Sequence, residues 1–198
     1  MFIYDPKHIK TSRSQKKKTI FLDMDGVLCF FIKSVCDLFG VDLEDKKNRN
    51  KIKDGEKLKD ILRIDDQTFW KKIDNQKYSF WENMEPLPWA KDLYDLAKQY
   101  DFAFLTSPGK CPFAASGKCV WIKKNFGDDA IEDLVIARNK WRCANNQTIL
   151  VDDQSDNIDD FIKQEGGGFL WPQELRIIDE DVKIDDVMDD LKEYIDSF

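Results

Sequence analysis

Short apolar runs that alternate with helical segments are the feature of this chain that most constrains its fold. Such runs occur at 19–22, 102–105, 134–136 and 148–151, and a fifth is expected at 169–171. They have the length of buried strands and fall far short of the roughly 18 residues of a membrane span. This alternation predicts an α/β fold in which helices cover both faces of a parallel sheet.

The helices between the runs are predicted from apolar residues at helical spacing. They are expected at 32–39, near 56–63, near 67–76, and at 89–99, 117–126 and 156–164. The triplet Gly166-Gly167-Gly168 is expected to end the last of these. The acidic tail 177–198 carries apolar residues at amphipathic spacing, which predicts a helix that packs on the body of the protein.

One polar and charged segment interrupts the alternation. Residues 32–83 contain short helical patterns but no strand pattern, so we interpret them as a helical cap inserted after the first strand. The core is then expected to comprise residues 19–31 and 84–198. Residues 1–18 end in a basic run and are predicted to form a flexible arm.

Composition excludes several classes of protein. The net charge of −7 argues against a nucleic-acid partner, which needs basic surface. The five cysteines form no Cys-x-x-Cys pair and the chain has one histidine, which argues against structural zinc. The N-terminal residues carry charges but no apolar h-region, so we do not expect them to act as a signal peptide. We therefore expect a soluble cytoplasmic protein with reduced cysteines and no membrane partner.

Reactive side chains follow several of the expected strands at the point where each strand ends. Asp23 follows the first run, Thr106 follows the second, and the pair Asp152-Asp153 ends the fourth. Lys140 comes shortly after the third. Ligands of open parallel sheets bind beyond the carboxyl ends of the strands. We therefore expect these residues to meet at one edge of the sheet.

This set of side chains matches the requirements of phosphate-ester hydrolysis. The carboxylate of Asp23 can attack phosphorus directly and form an aspartyl phosphate. Asp25 lies two residues later and can protonate the leaving oxygen and then activate water. Gly26 allows a sharp turn beside them. Thr106 can hydrogen-bond a phosphate oxygen, and Lys140 can balance its charge.

The same carboxylates predict a metal site. Mg²⁺ prefers oxygen ligands, and a divalent cation can offset the charge of a phosphate group. The candidate ligands are Asp23, Asp25, Asp152 and Asp153. Any one of these acidic pairs alone is usually a solvated turn. Their occurrence in order, each after an apolar run, favours a site that uses Mg²⁺ as its cofactor.

The sequence DMDGV at 23–27 resembles the first signature of the haloacid dehalogenase (HAD) superfamily of phosphatases. The three later signatures of that superfamily are similar to Thr106-Ser107, Lys140 and Asp152-Asp153, in the same order. This resemblance implies a Rossmann-like core with a parallel sheet and a small helical cap.

Within this superfamily the chain is most similar to the 5'(3')-deoxyribonucleotidases. The similarity covers most of the predicted core: FLDMDGVLCFF at 21–31, MEPLPWA at 84–90, FLTSPGK at 104–110, KCVWIKKNFG at 118–127, ARNKW at 137–141 and ILVDD at 149–153. The cap and the tail beyond residue 171 match poorly. The resemblance implies Mg²⁺-dependent hydrolysis of (deoxy)nucleoside monophosphates through an aspartyl phosphate.

The resemblance also implies residue roles. Asp23 would be the nucleophile and Asp25 the acid/base. Mg²⁺ would be held by Asp23, by the backbone carbonyl of Asp25 and by one of the pair Asp152-Asp153, of which Asp153 is favoured. The implied phosphate ligands are Thr106, Ser107, Lys110 and Lys140. Phe31 corresponds to an aromatic position that packs on the nucleoside.

Four aromatic residues of the predicted cap can either line a substrate pocket or pack in a core; they are Phe69, Trp70, Phe80 and Trp81. Two other functions also stay open. One is a HAD phosphatase for a sugar phosphate or a nucleic-acid 3'-phosphate, and the other is a catalytically silent domain that binds nucleotide or protein. The expected partner is a small nucleotide, and a homodimer is compatible with the sequence.

Overall fold

A five-stranded parallel sheet forms the centre of the molecule. The computed structural model describes residues 18–198, so the predicted basic arm lies outside the described residues except for its last one. The strands are β1 (Thr19–Leu22), β2 (Asp101–Thr106), β3 (Leu134–Ile136), β4 (Thr148–Asp152) and β5 (Gly167–Leu170). Their order in the sheet is β3-β2-β1-β4-β5. The predicted α/β fold with a parallel sheet is confirmed.

Helices connect the strands. The α-helices of the described chain are α1 (Phe31–Phe39), α2 (Lys46–Lys53), α3 (Leu58–Ile61), α4 (Asp66–Asp74), α5 (Tyr78–Glu82), α6 (Ala90–Ala97), α7 (Pro112–Phe126), α8 (Ser155–Ile162), α9 (Glu174–Ile178) and α10 (Ile184–Ser197). Short 3₁₀ helices span Asp128–Asp133 and Lys140–Cys143. None of the helices within residues 18–198 is long and apolar enough to cross a membrane.

The central strand β1 sets the position of the site. Leu22 lies opposite Phe104 of β2 and Val151 of β4, so the three strands end at nearly the same level. The backbone N–H of Asp23 still donates to the carbonyl of Val151 at 3.0 Å. The side chains that follow these strands therefore emerge side by side at the carboxyl edge of the sheet.

Helices α1 to α5 all lie between β1 and α6 in the chain, and their buried apolar residues join the same core cluster as residues of β1, β2 and β4. The rings of Phe39 and Phe69 stack with centroids 5.3 Å apart. Helix α5 approaches α7 so closely that a Cβ at Gly117 would lie 2.6 Å from the Trp81 Cβ. Glycine at this position is therefore what allows the two helices to touch.

Some elements differ from the sequence predictions. Helix α7 begins at Pro112, five residues before the expected start, because proline is well suited to the first turn of a helix. Gly167 and Gly168 belong to β5 and do not merely end the preceding helix. A Cβ at Gly168 would lie 2.7 Å from Ile158, so glycine lets α8 pack directly on β5.

Candidate active site

A buried lysine lies between two carboxylates at the carboxyl edge of the sheet. Asp23 follows β1 and is 5% exposed, and Asp152 is the last residue of β4 and is fully buried. Lys140 reaches them from the 3₁₀ helix after β3, with its Nζ 2.6 Å from Asp23 Oδ1 and 2.6 Å from Asp152 Oδ2. Burial alone would lower the pKa of Lys140, but the two carboxylates outweigh that effect and raise it.

Asp152 is held in place by groups of the chain itself. Its Oδ1 accepts from the backbone N–H of Gln154 at 2.9 Å, and the Asn157 amide donates to both oxygens at 3.0 and 3.1 Å. Burial and the nearby Asp23 raise the pKa of Asp152 to about 6, against the opposing effect of Lys140. Asp152 therefore fixes the position of Lys140, which in turn contacts Asp23.

Three carboxylates converge at this point. Oxygens of Asp23, Asp152 and Asp153 all lie within 4.8 Å of one another. With Lys140 as the cation between two of them, the group carries a formal charge of −2 when fully ionised. Burial, together with Asp23, raises the pKa of Asp153 well above its ordinary value. An oxygen-only donor set with this excess charge fits a hard divalent cation such as Mg²⁺.

Gly26 leaves space beside this cluster. Its φ is +79°, and a Cβ at this position would lie 2.8 Å from Asp153 Oδ2 and 3.3 Å from Glu174 Oε2. Glu174 is 1% exposed, and burial raises its pKa to about 7. The sequence prediction that a glycine is needed for a turn here agrees with the positive φ, but the close approach of two carboxyl groups adds a second reason.

Asp25, two residues after Asp23, contacts a second buried lysine. Lys118 of α7 is 1% exposed, and its Nζ donates to Asp25 Oδ2 at 2.7 Å. It also donates to Thr106 Oγ1 at 2.8 Å and to the Ser107 carbonyl at 2.9 Å. The predicted acid/base and the predicted phosphate-binding threonine are therefore joined through a residue to which the sequence analysis assigned no role.

A sequence signal for Lys118 does exist. Within α7, Ala114, Trp121 and Ile122 are all fully buried and lie four, three and four positions from Lys118. A lysine on the apolar face of a predicted helix has to find a partner, because a buried ammonium group is costly when it is unpaired. Glu174 was also missed, because it lies at the start of α9 and not at the end of a predicted strand.

The remaining predicted site residues are placed as follows. Ser107 is half-buried and directs its carbonyl to Lys118. Lys110 is exposed on the loop after β2 and makes no hydrogen bond or ion pair with the described residues of the buried cluster. Phe31 is half-buried at the start of α1, with its ring stacked on Trp81 at 6.0 Å between centroids.

A cavity of about 610 Å³ opens between the sheet edge and the inserted helices. Phe31, Phe69 and Trp70 supply aromatic wall, and Asp153 marks the end that adjoins the carboxylate cluster. The other predicted pocket aromatics, Phe80 and Trp81, are 8% and 2% exposed and pack in the core next to Phe31. The cavity is of the size typical of small-molecule sites.

Comparison with known proteins agrees with this geometry. Residues 17–174 match the model of the 5' nucleotidase, deoxy (pyrimidine), cytosolic type C family. The chain belongs to this family. It is 30% identical over 168 residues to the mitochondrial 5'(3')-deoxyribonucleotidase of Mus musculus, an alignment that covers 76% of this chain and 71% of the mouse protein. The resemblance to HAD nucleotidases is thus confirmed, and the chain is a hydrolase of the phosphatase and nucleotidase class.

Solved structures show the same fold at low sequence identity. A protein of Clostridium acetobutylicum, described as a predicted phosphatase, superposes with a TM-score of 0.57 and 13% identity, covering 90% of this chain and all of that one. A HAD hydrolase of Bacillus subtilis, whose structure contains magnesium, superposes with a TM-score of 0.52 and 11% identity, covering 86% of this chain and all of that one. These similarities confirm the HAD fold.

Proposed function

We propose that this family member hydrolyses (deoxy)nucleoside monophosphates in a Mg²⁺-dependent reaction that passes through a phosphorylated Asp23. The observation that carries the proposal is the cluster of Asp23, Asp152 and Asp153 around Lys140, which adjoins a cavity with aromatic walls. The cluster suits phosphoryl transfer, and flat aromatic walls suit a nucleobase.

In the first step Asp23 attacks phosphorus through one carboxylate oxygen. A new bond between that oxygen and phosphorus forms as the bond between phosphorus and the nucleoside oxygen breaks. Asp25 gives its proton to the departing oxygen, so the nucleoside leaves as a neutral alcohol. Thr106, Ser107, Lys110 and Lys140 are the proposed phosphate ligands, and of these Lys140 already contacts the nucleophile.

In the second step water replaces Asp23 on phosphorus. Asp25, now a carboxylate, takes a proton from the water as it attacks, and the bond between phosphorus and Asp23 breaks. Inorganic phosphate leaves, and both aspartates return to their starting states. Mg²⁺ would be held by Asp23, Asp153 and the Asp25 carbonyl, with Asp152 alongside, and would supply positive charge against the phosphate oxygens.

The test is a phosphate-release screen with Mg²⁺ over nucleoside 5'- and 3'-monophosphates, in ribose and deoxyribose forms, and over sugar phosphates. We expect a nucleoside monophosphate to be the best substrate and excess chelator to abolish its turnover. Calcium should inhibit, because its larger and looser shell misplaces the nucleophile. Preference for a sugar phosphate would replace the proposed substrate but not the chemistry.

The matched variant is Asp23→Asn, in which the side chain keeps its shape but loses its nucleophilic carboxylate. Its turnover should fall below about a thousandth of wild type, while its melting curve still shows a cooperative fold. Retention of more than about a tenth of the wild-type rate, or full activity in chelator, would show that another group attacks phosphorus.

The proposal includes a cytoplasmic location. All five cysteines are free thiols, and reduced cysteines are typical of the cytosol. The mouse relative is by name a mitochondrial protein. Fractionation of cells that express the tagged chain, with a mitochondrial marker as reference, tests this part separately from the activity.

A further inference from the structure

Lys118 joins the two parts of the site that handle the proton and the phosphate. We propose that it is a positioning residue, which fixes the Asp25 carboxylate for proton transfer and orients the Thr106 hydroxyl towards phosphate. The inference rests on the proposed phosphoryl-transfer function. It is carried by the three contacts of the Lys118 Nζ, at 2.7, 2.8 and 2.9 Å, to Asp25, Thr106 and the Ser107 carbonyl.

The number of donors determines what kind of role Lys118 can have. An ammonium group has three N–H donors and no acceptor. Three protein oxygens lie within 2.9 Å of the Lys118 Nζ, so each donor has a partner. A phosphate oxygen would have to displace one of them. Lys118 therefore acts through Asp25 and Thr106 and does not act as a phosphate ligand of its own.

The direction of the Thr106 hydroxyl follows from the same contact. Because the lysine can only donate, Thr106 Oγ1 must accept from it at 2.8 Å. A threonine hydroxyl has one hydrogen, and acceptance from Lys118 leaves that hydrogen free to donate elsewhere. Thr106 is fully buried at the end of β2, where a bound phosphate oxygen is the proposed acceptor.

The contact with Asp25 distinguishes the two oxygens of that carboxylate. Oδ2 is held by Lys118 at 2.7 Å, whereas Oδ1 lies 3.7 Å from the thiol sulfur of Cys29. Burial raises the pKa of Cys29 well above its ordinary value, so this neighbour stays a neutral and weak donor. Oδ1 is therefore the oxygen that is available to carry the proton to and from the reacting groups.

The surroundings of Lys118 keep it in one place. Its Nζ lies 5.0 Å from the centre of the Trp81 ring, and the adjacent Gly117 lets α5 pack directly against α7. A cation enclosed in this way loses the rotamer freedom that a surface lysine keeps. The enclosed ammonium group thus holds Asp25 and Thr106 in a fixed relation to each other.

The test uses Lys118→Met, which keeps the length of the side chain but removes its charge and donors. We expect kcat/KM for a nucleoside 5'-monophosphate to fall by about 10²-fold, the lower end for a lost proton-transfer group. For p-nitrophenyl phosphate the loss should be about tenfold or less, because that leaving group departs without a proton. Since kcat/KM reports on steps up to departure of the leaving group, hydrolysis of the phosphoenzyme does not obscure this difference.

A series of aryl phosphates extends the comparison, and Lys124→Met provides the control from the exposed face of the same helix. The dependence of kcat/KM on the pKa of the leaving group should be steeper in Lys118→Met than in wild type or in Lys124→Met. Equal losses on every substrate, or an unchanged slope, would mean that Lys118 only supports the fold and would overturn the proposal. If Lys118→Met does not fold, Lys118→Gln serves in its place, and melting curves report the folded state of each.

A double-mutant cycle with Asp25→Asn, measured with the nucleoside 5'-monophosphate, whose leaving group needs a proton, checks the route of the effect. Lys118→Met should lower kcat/KM much less in the Asp25→Asn background than in wild type, because the group that Lys118 positions has already been removed. Full additivity would contradict the proposal. The failure of the proposed function is separate, because it would appear as activity in Asp23→Asn whatever the behaviour of Lys118→Met.

Discussion

Two buried lysines contact the carboxylates that follow β1, Lys140 at Asp23 and Lys118 at Asp25, and their surroundings differ. Lys140 lies among three carboxylates, two of which it touches. Lys118 touches one carboxylate and two neutral oxygens. When all three of its neighbouring carboxylates are ionised, the first lysine leaves a formal charge of −2 beside it. The second is balanced whenever Asp25, its single acidic partner, is ionised.

This difference separates the site into two parts. The part around Lys140 has more carboxylates than cations, so it is suited to bind a divalent cation, which in turn can hold an anionic phosphate. The part around Lys118 has no charge to neutralise and is suited to hold Asp25 for proton transfer. The same residue type therefore has different consequences in each place, and substitution of each lysine should give a different kinetic pattern.

The largest effect is expected for Lys140→Met. Without this cation, Asp23 and Asp152 are buried with no positive partner in contact with them. Removal of one partner from a buried ion pair typically costs about 3–5 kcal/mol of unfolding free energy. We also expect turnover to fall by about 10³-fold, as for loss of a strong electrostatic contact. The measurements are urea unfolding without metal and kcat/KM on the aryl phosphate series.

In contrast to Lys118→Met, the variant Lys140→Met should lose a similar factor in kcat/KM for good and for poor leaving groups. Lys140 touches the nucleophile and not the proposed acid, so its absence affects attack on phosphorus in every substrate. Added Mg²⁺ should restore part of the lost stability, because a ligand that binds only the folded state stabilises it. If kcat/KM of Lys140→Met depended steeply on the pKa of the leaving group, the two lysines would not have the different roles proposed for them.

A smaller effect concerns pH and the metal. Burial and Asp23 raise the pKa of Asp152 to about 6, so a proton competes with a cation for this cluster when the pH falls through that value. The concentration of Mg²⁺ that gives half-maximal activity should therefore rise by about tenfold between pH 7 and pH 5. Titration calorimetry should show proton uptake by the buffer on binding at pH 6. If the Mg²⁺ concentration for half-maximal activity were the same at pH 5 and pH 7, a proton on Asp152 would not compete with the metal.

The sequence predicted one part of the site better than the other for a physical reason. Asp23 and Asp152 end strands, and the edge of a parallel sheet brings strand ends together whatever the details of packing. Lys118 lies in the middle of α7, and its contact with Asp25 depends on how that helix sits on the sheet and on α5. The inserted helices were harder still, since α2 is almost entirely polar and charged and only Ile52 is buried within it.

Phe31→Ala tests whether the cavity contributes to substrate choice. Stacking of an aromatic side chain on a base is worth roughly 1–3 kcal/mol, so KM for a nucleoside monophosphate should rise about tenfold or more. Turnover of p-nitrophenyl phosphate should change much less, because it has no base. Phe31→Leu is the matched control, since it keeps apolar volume beside Trp81 but loses the flat face. Equal losses for both substrates with a lowered melting temperature would assign Phe31 to the core alone.

The smallest effect on catalysis is expected for an ionic cluster around Asp179, which includes Lys53 of the cavity wall but makes no contact with the carboxylates around Lys140 in the described chain. Asp179 follows α9 and contacts two residues of α2. It pairs with Arg49 and accepts a hydrogen bond from Lys53 at 3.0 Å. The hydrogen bond from Arg49 is the main reason why the pKa of Asp179 is lowered to about 2. Asp179 thus contacts two cations, Arg49 and Lys53. Unlike the cluster around Lys140, this cluster has no excess of negative charge that could attract a metal.

Asp179→Asn should lower the unfolding free energy by about 1–2 kcal/mol at pH 7 and leave turnover of p-nitrophenyl phosphate unchanged. A lowered pKa stabilises the fold above the unfolded-state pKa of about 4, and this contribution is lost as the pH falls through about 2. The difference in unfolding free energy between wild type and Asp179→Asn should therefore be smaller at pH 3 than at pH 7, as measured by urea unfolding. Asp37→Asn, which removes an exposed pair with Lys33, is the control and should cost less than about 0.5 kcal/mol. A loss of Mg²⁺ affinity in Asp179→Asn would show that this cluster is coupled to the carboxylates around Lys140, and would contradict their independence.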